Sequence, residues 1–260
     1  MKLITLNTWG GRGGKEALLD FFRTHKDDVD FFCLQEVWSA PYEHMEGTKA
    51  GGTPIENKRA MTEGLQEISG VLEDHVPHFR PLFGDDYGIL MCVSKKYEIL
   101  EEGEEFVYMH KGYFSEKDFG DHARLVQYVT IQNGETPLTI LNFHGLWTPK
   151  PEGRGKQDIP ERLEQSERIV SLLERFDHPL VLAGDFNLLP DSESVGILER
   201  SGLRNLITEY KVSSTRTKFY TTADTLFADY IFTRGDVTVR DFKVLPDEVS
   251  DHAPLFLDFD

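Results

Sequence analysis

The sequence has 260 residues, of which 45 are acidic and 28 are basic, so its formal net charge is −17 at pH 7. This length fits one large α/β domain or two small ones, and the 39% hydrophobic content excludes a disordered chain. Because counterion release requires clustered Lys and Arg, the acidic balance disfavours a protein that holds long duplex DNA on a broad basic surface.

Two further features concern the cellular setting. No run of about 18 apolar residues is present, which excludes an ordinary transmembrane segment, and Met1 leads directly into a strand-like segment, so we expect no signal peptide. Cys33 and Cys92 each lie in an apolar run, which predicts buried reduced thiols rather than a disulfide. We therefore predict a cytoplasmic protein, and no protein partner is predicted.

Hydrophobic periodicity predicts a mixed α/β chain. In chain order we predict a strand at 2–7, a helix at 15–24, a strand at 30–35, a helix at 57–69, strands at 87–94, 106–110, 125–132 and 137–143, a helix at 159–176, a strand at 179–183, a helix at 192–200, and strands at 230–233, 237–244 and 255–259. The acidic run 101–105 is interpreted as a solvated turn. No repeat or linker divides the chain, which predicts a single domain over residues 1–260.

Polar groups recur at the ends of the apolar runs. Asn7, Glu36, His144 and the Asp185-Phe186-Asn187 segment each follow a strand, and Ser250-Asp251-His252 precedes the last one. Any one of them alone is better explained as a turn, a cap, a solvated charge or a bonded core histidine. The five segments together predict a set of catalytic residues held at the ends of buried strands.

The residue types restrict the chemistry. The carboxylates of Glu36 and Asp251, with the Asn7 amide, are hard oxygen donors suited to Mg²⁺ or Mn²⁺. Asp185 and His252 are candidate acid and base groups. Asn187 and His144 are able to donate hydrogen bonds to phosphate oxygens. This donor set predicts hydrolysis of a phosphoester.

Six ordered motifs carry a family resemblance. They are Leu-Asn-Thr-Trp at 6–9, Leu-Gln-Glu-Val at 34–37, Asn-Phe-His at 142–144, Gly-Asp-Phe-Asn at 184–187, Ala-Asp-Tyr-Ile-Phe at 228–232 and Ser-Asp-His-Ala-Pro-Leu at 250–255. In type and order they resemble the endonuclease/exonuclease/phosphatase superfamily, particularly its deoxyribonuclease, sphingomyelinase and deadenylase branches. The resemblance implies a four-layer α/β/β/α sandwich with two packed mixed β-sheets and the site at one end.

The resemblance also implies roles for individual residues. Glu36 resembles the principal metal ligand, with Asn7 and Asp251 completing the shell. Asp185 resembles the carboxylate that orients or deprotonates the attacking water, and Asn187 the amide that positions it. His252, held by Asp229, and His144 resemble the two histidines that contact the phosphate and the leaving oxygen.

Substrate contacts are predicted for Arg124, Asn142 and Trp147. Trp9, Trp38 and Trp147 all lie near site residues, so each either stacks on a planar substrate or packs as a wall. For Arg162 a surface salt bridge is the expected role.

The leading hypothesis is a metal-dependent phosphodiesterase that acts by in-line attack of water, with nucleic acid, a nucleotide, a lipid head group or a phosphorylated metabolite as substrate. A phosphomonoesterase is the first alternative. A non-catalytic binding module with the same fold is the second.

Overall fold

The computed structural model describes residues 1–40, 49–50, 53–54, 60–116, 118–147, 158–221 and 226–260, with the backbone alone at 49–50, 53–54, 83 and 118–119. Part of the predicted helix at 57–69 lies outside these residues. None of the helices in this part of the chain is long and apolar enough to cross a membrane.

The described elements follow the predicted order with additions. The strands are β1 (Lys2–Asn7), β2 (Phe31–Trp38), β3 (Lys49–Ala50), β4 (Thr53–Pro54), β5 (His75–Phe83), β6 (Tyr87–Ser94), β7 (Ile99–Tyr108), β8 (Phe114–Ser115), β9 (Asp118–His122), β10 (Arg124–Ile131), β11 (Leu138–His144), β12 (Leu180–Asp185), β13 (Arg204–Asn205), β14 (Asp229–Arg234), β15 (Val239–Val244) and β16 (Leu255–Phe259). The helices are α1 (Lys15–His25), α2 (Gly64–Val71), α3 (Pro160–Leu173), α4 (Glu193–Arg200) and α5 (Leu206–Glu209), and a 3-10 turn covers Trp9–Gly11.

Two six-stranded mixed sheets form the body of the fold. The first sheet has the order β15-β16-β1-β2-β6-β5, and the second has the order β13-β14-β12-β11-β10-β7. Each contains one parallel pair, β1 with β2 and β11 with β12, and the remaining pairs are antiparallel. The parallel pairs matter for function because the carboxyl ends of paired parallel strands lie at one edge of a sheet.

Alternation along the strands produces the layers. On one face of the first sheet, Ile4 and Phe32 pack in a cluster with α1 and α2. On the other face, Leu3 and Phe31 join a cluster that includes the second sheet and side chains of α3 and α4. Both faces of each sheet are thus covered, which confirms the predicted four-layer sandwich.

The two cysteines illustrate this alternation. Cys33 and Cys92 lie on the paired strands β2 and β6, but Cys33 is in register with Met91 and Cys92 with Phe32. Each thiol lies in a different core cluster, so the two point to opposite faces of the sheet. Both are free and buried, as predicted.

Two strand predictions are corrected. The acidic run 101–105 is not a turn, because it forms the middle half of the edge strand β7 and pairs with β10. Gly103 fits there since a Cβ would come 2.4 Å from the Tyr128 hydroxyl. The strand β5 was not predicted, because Pro77 and Pro81 interrupt its pattern; prolines are tolerated in β5 since it lies at the edge of its sheet.

Candidate active site

Both sheets deliver polar side chains to one end of the sandwich. Asn7 ends β1, and His144 and Asp185 end the parallel neighbours β11 and β12. Asp229 begins β14 directly opposite Asp185 in the antiparallel register. The structure therefore brings together the strand-end groups that the sequence singled out.

Glu36 owes its position to an irregularity in β2. The pairing of β2 with β6 shifts register between Leu34 and Val37, and Glu36 has a left-handed φ of 56°. Such a backbone is costly for a residue with a side chain and persists where surrounding contacts impose it. Its effect is to turn the carboxylate of a central strand toward the site, where Glu36 Oε1 accepts a hydrogen bond from Asn7 at 3.1 Å.

Asp185 is held by two donors. Asn7 Nδ2 donates to its Oδ2 at 2.9 Å, and the backbone N–H of Asn187 donates to its Oδ1 at 2.9 Å. Asn187 also has a left-handed φ of 54°, and its side-chain amide donates to the Gly145 carbonyl at 3.3 Å. Asp185 and Asn187 are buried, so the tight turn after β12 fixes both groups.

A histidine and a carboxylate form a buried pair beside Asp185. His252 Nδ1 lies 2.9 Å from both carboxylate oxygens of Asp229, which makes Nδ1 the donor. The opposite nitrogen, Nε2, then points toward Asp185 Oδ2 at 3.7 Å. Asp229 thereby fixes the ring so that Nε2 faces the centre of the site.

The second histidine lies near the same oxygen of Asp185. His144 Nε2 is 3.8 Å from Asp185 Oδ2 and 4.0 Å from Glu36 Oε1. Burial, followed by the charge of Arg124, holds the pKa of His144 well below its ordinary value. The imidazole is therefore neutral at neutral pH, a form that donates a hydrogen bond through one nitrogen.

Arg124 lies buried close to these groups. One terminal nitrogen, Nη2, donates to the Gly120 carbonyl at 2.9 Å, whereas Nε and Nη1 have no hydrogen-bond partner among the described residues. A fully buried guanidinium with free donors is suited to an anion. This position agrees with the predicted contact to substrate phosphate, which stays a prediction.

Sequence reasoning missed a segment that supports Asp251 and His252. Arg216 Nη1 donates to Asp251 Oδ2 at 3.2 Å, and its backbone forms a β-bridge with His252. Thr215 Oγ1 accepts from the backbone N–H groups of Ala228 and Asp229. Residues 215 and 216 thus connect the segment at 228–229 with the segment at 251–252, yet they belong to no periodic run that predicts this role.

The chemistry of the donor set fits a hard divalent cation. Burial raises the pKa of Glu36 and of Asp251, because no adjacent charge fully replaces the lost solvation. A cation bound between them would supply that charge. Asp185, Asp229 and His252 offer a second arrangement, with three ligand atoms within 4.8 Å of one another.

Asn7 directs its Nδ2 at the carboxylates while Oδ1 accepts from Trp9 N at 2.9 Å, so here it acts as a donor to them.

Other predicted residues make contacts of their own, and the substrate contact of Trp147 stays a prediction. Asn142 is fully buried between the sheets, where its amide bonds Gln35 and Gln127 rather than facing the site. Trp38 is buried against Tyr87, with ring centroids 4.6 Å apart, whereas Trp147 is half-buried just before residues 148–157. Arg162 was expected at the surface, but it is buried, and its Nε donates to the Leu146 carbonyl at 3.1 Å.

Comparisons with known proteins agree with this architecture. A model of the Endonuclease/Exonuclease/phosphatase family matches residues 4–252. UPF0294 protein VP2298 of Vibrio parahaemolyticus is 29% identical over 130 residues, a match that spans 50% of this chain and 42% of that protein. An endonuclease/exonuclease/phosphatase from Bacteroides vulgatus superposes with a TM-score of 0.71 at 16% identity, covering 100% of this chain and 98% of that one. The mannosyl-6-phosphatase Bt3783 of Bacteroides thetaiotaomicron has a TM-score of 0.69 at 16% identity, with coverage of 100% and 99%.

Proposed function

Because the chain belongs to the endonuclease/exonuclease/phosphatase family, we propose that it is a divalent-metal-dependent phosphodiesterase that hydrolyses its substrate by in-line attack of water. The observation that carries this proposal is the convergence of Glu36, Asp185 and His252 with Asn7 and His144 at one buried end of the sheets. Carboxylates, an amide and imidazoles whose polar atoms lie 2.9–4.0 Å from one another suit stabilisation of the charge that develops on phosphorus.

The mechanism assigns each side chain a task. Asp185 Oδ2 orients and deprotonates the attacking water, since its carboxylate is fixed by Asn187 and Asn7. The Asn187 amide positions the same water. The neutral His144 and the Arg124 guanidinium donate to non-bridging phosphate oxygens. His252 acts as an imidazolium whose Nδ1 donates to Asp229 and whose Nε2 donates to the phosphate.

Glu36 is the proposed principal ligand for Mg²⁺ or Mn²⁺, with Asp251 extending the set and Asn7 orienting the Glu36 carboxylate. When bound, such an ion supplies Lewis-acid stabilisation of negative charge on the phosphate. No covalent bond to the protein is required.

Charge favours a diester over a monoester. Glu36, Asp185, Asp229 and Asp251 surround the site, and the protein as a whole carries −17. A phosphomonoester is close to a dianion at neutral pH whereas a diester is a monoanion, so these carboxylates repel the monoester more strongly. A monoesterase is the second candidate, because the fold is shared with a protein named as a phosphatase.

The test is hydrolysis of bis(p-nitrophenyl) phosphate beside p-nitrophenyl phosphate, with Mg²⁺ or Mn²⁺ and with EDTA. We expect chelator-sensitive cleavage that favours the diester, and a loss of about 10²–10⁴-fold in Asp185→Asn, the size of a general-base contribution. Asp191→Asn is the matched control, since Asp191 is exposed. Monoester preference would select the second candidate, and an Asp185→Asn variant as active as Asp191→Asn would refute the mechanism.

A further inference from the structure

Two half-buried aromatic side chains, Trp9 and Phe219, lie beside each other on segments that are hydrogen-bonded to candidate-site residues. Their ring centroids are 6.3 Å apart and their planes are tilted by 41°. We call this pair the aromatic wall. The two residues are 210 positions apart in sequence, so the fold itself brings them together.

Trp9 is coupled directly to the catalytic groups. Its φ of 51° places a bulky residue in the left-handed region, which is unusual for any side chain other than Gly, Asn or Asp. The backbone N–H of Trp9 donates to Asn7 Oδ1 at 2.9 Å, and the same Asn7 amide reaches Glu36 and Asp185. Strained backbone of this kind clusters at functional sites, because neighbouring contacts must hold it in place.

Phe219 is coupled to the other side of the site. Its backbone N–H donates to Thr217 Oγ1 at 3.3 Å, and Thr217 N donates to the Asp251 carbonyl at 3.2 Å. Movement of the Phe219 backbone is therefore limited by the segment that carries Asp251 and His252. The backbone at both aromatic residues is thus tied by hydrogen bonds to residues of the candidate site.

The charges around the wall select among planar and cationic ligands. Lys218 Nζ lies 5.5 Å from the centroid of the Phe219 ring, and its charge is paired with Glu248. A quaternary ammonium group would have to compete with this ammonium for the Phe219 ring. A neutral planar ring attached to a phosphate meets no such penalty, and it gains stacking on an aromatic side chain.

We propose that the aromatic wall stacks on a planar ring of the substrate, so that the preferred phosphoester is a nucleotide-type one rather than one with a choline or purely aliphatic group. This inference rests on the proposed function for the phosphate centre and adds the substrate class.

The test is calorimetric binding of AMP, ribose 5-phosphate and phosphocholine in the presence of Mn²⁺. These three ligands share the phosphomonoester and differ in the ring or the cation. We expect AMP to bind about tenfold more tightly than ribose 5-phosphate, the lower range for stacking of one base, and Trp9→Leu and Phe219→Leu each to reduce that ratio to about threefold or less. Tyr210→Leu, an exposed aromatic that packs on Phe242, should keep the wild-type ratio.

Equal affinity for AMP and ribose 5-phosphate, tighter binding of phosphocholine, or an unchanged ratio in both wall variants would each overturn the proposal. Kinetics separate this failure from failure of the proposed function. Thymidine 5′-p-nitrophenyl phosphate and methyl p-nitrophenyl phosphate have the same leaving group. If both diesters are hydrolysed at the same rate, the proposed stacking is refuted while the proposed phosphodiesterase activity stands. If the protein binds AMP selectively but hydrolyses neither diester, the stacking is supported and the phosphodiesterase activity is refuted.

Discussion

Replacement of Asn142 by Leu separates a structural role from a substrate contact. Asn142 lies on β11 and is fully buried. Its Oδ1 accepts from Gln35 Nε2 at 2.7 Å, and its Nδ2 lies 3.4 Å from Gln127 Oε1. Gln35 belongs to the first sheet and Asn142 to the second, so this amide joins the two sheets.

The size of the effect follows from these contacts. Asn142→Leu removes the short bond from Gln35 and leaves Gln127 Oε1 without its partner in the described core. The lost bond to Gln35 costs about 0.5–1.5 kcal/mol and the unpaired Gln127 oxygen about 1–3 kcal/mol, so the free energy of unfolding should fall by about 1.5–4.5 kcal/mol. For a chain of this size that corresponds to a fall in Tm of about 3–18 °C.

The assay pairs calorimetry with diester kinetics below the melting transition. We expect a lower Tm and a KM within about twofold of the wild type, because no bond to substrate has been removed. Gln127→Met is the matched variant: it removes the same pair from the opposite side, so the double variant should lose less stability than the sum of the two. An unchanged Tm together with a tenfold higher KM would refute the structural role and favour the predicted contact between Asn142 and the substrate.

Three further predictions concern charge. Glu36→Gln should weaken Mn²⁺ binding by at least about tenfold in titration calorimetry. The metal-free variant should keep the wild-type Tm, since burial already raises the pKa of this carboxyl. Equal Mn²⁺ affinity in the variant and the wild type would exclude Glu36 as the principal ligand. Arg216→Met should lower the free energy of unfolding by roughly 3 kcal/mol, because it leaves Asp251 without its ion-pair partner. The same change should cost clearly less in an Asp251→Asn background, and an identical loss there would show that the pair is not the cause. Burial lowers the pKa of His75 in the folded protein. As the pH falls, the unfolded chain therefore binds a proton at this residue before the folded protein does. The free energy of unfolding measured in urea should decrease as the pH drops below about 6.5. His75→Gln should flatten this dependence between pH 7 and 5; an unaltered slope would assign it to other groups.

The polar residues at the strand ends are predictable from sequence because a buried strand is a recognisable apolar run. The polar residue that follows the run marks the end of the strand. Asn142 shows where this reasoning fails. Asn142 and His144 are two positions apart on β11 and face the same side, so the pattern cannot distinguish the residue at the mouth from the one a single step deeper.

Other features depended on long-range contacts that no local pattern records. Arg162 has the sequence context of an exposed helix position, but α3 presents it to the Leu146 carbonyl. Arg216 lies outside the helices and strands, and its role depends on a hydrogen bond to Asp251, which is 35 residues away in sequence. The run 101–105 was misjudged because its charges suggested solvent, although an edge strand also has a solvated face.

The sheet order has a consequence for how the site is assembled. The second sheet is built entirely from one continuous stretch between residues 99 and 234, whereas the first sheet combines residues 2–94 with residues 239–259. Asn7 and Glu36 come from the first sheet and Asp251 directly precedes its strand β16, while His144, Asp185 and Asp229 come from the second. The second sheet is able to form as a local unit, but β1 lacks its neighbour β16 until the last strand is in place. Assembly of the candidate site therefore requires closure of the first sheet by its last strand as well as contact between the two sheets.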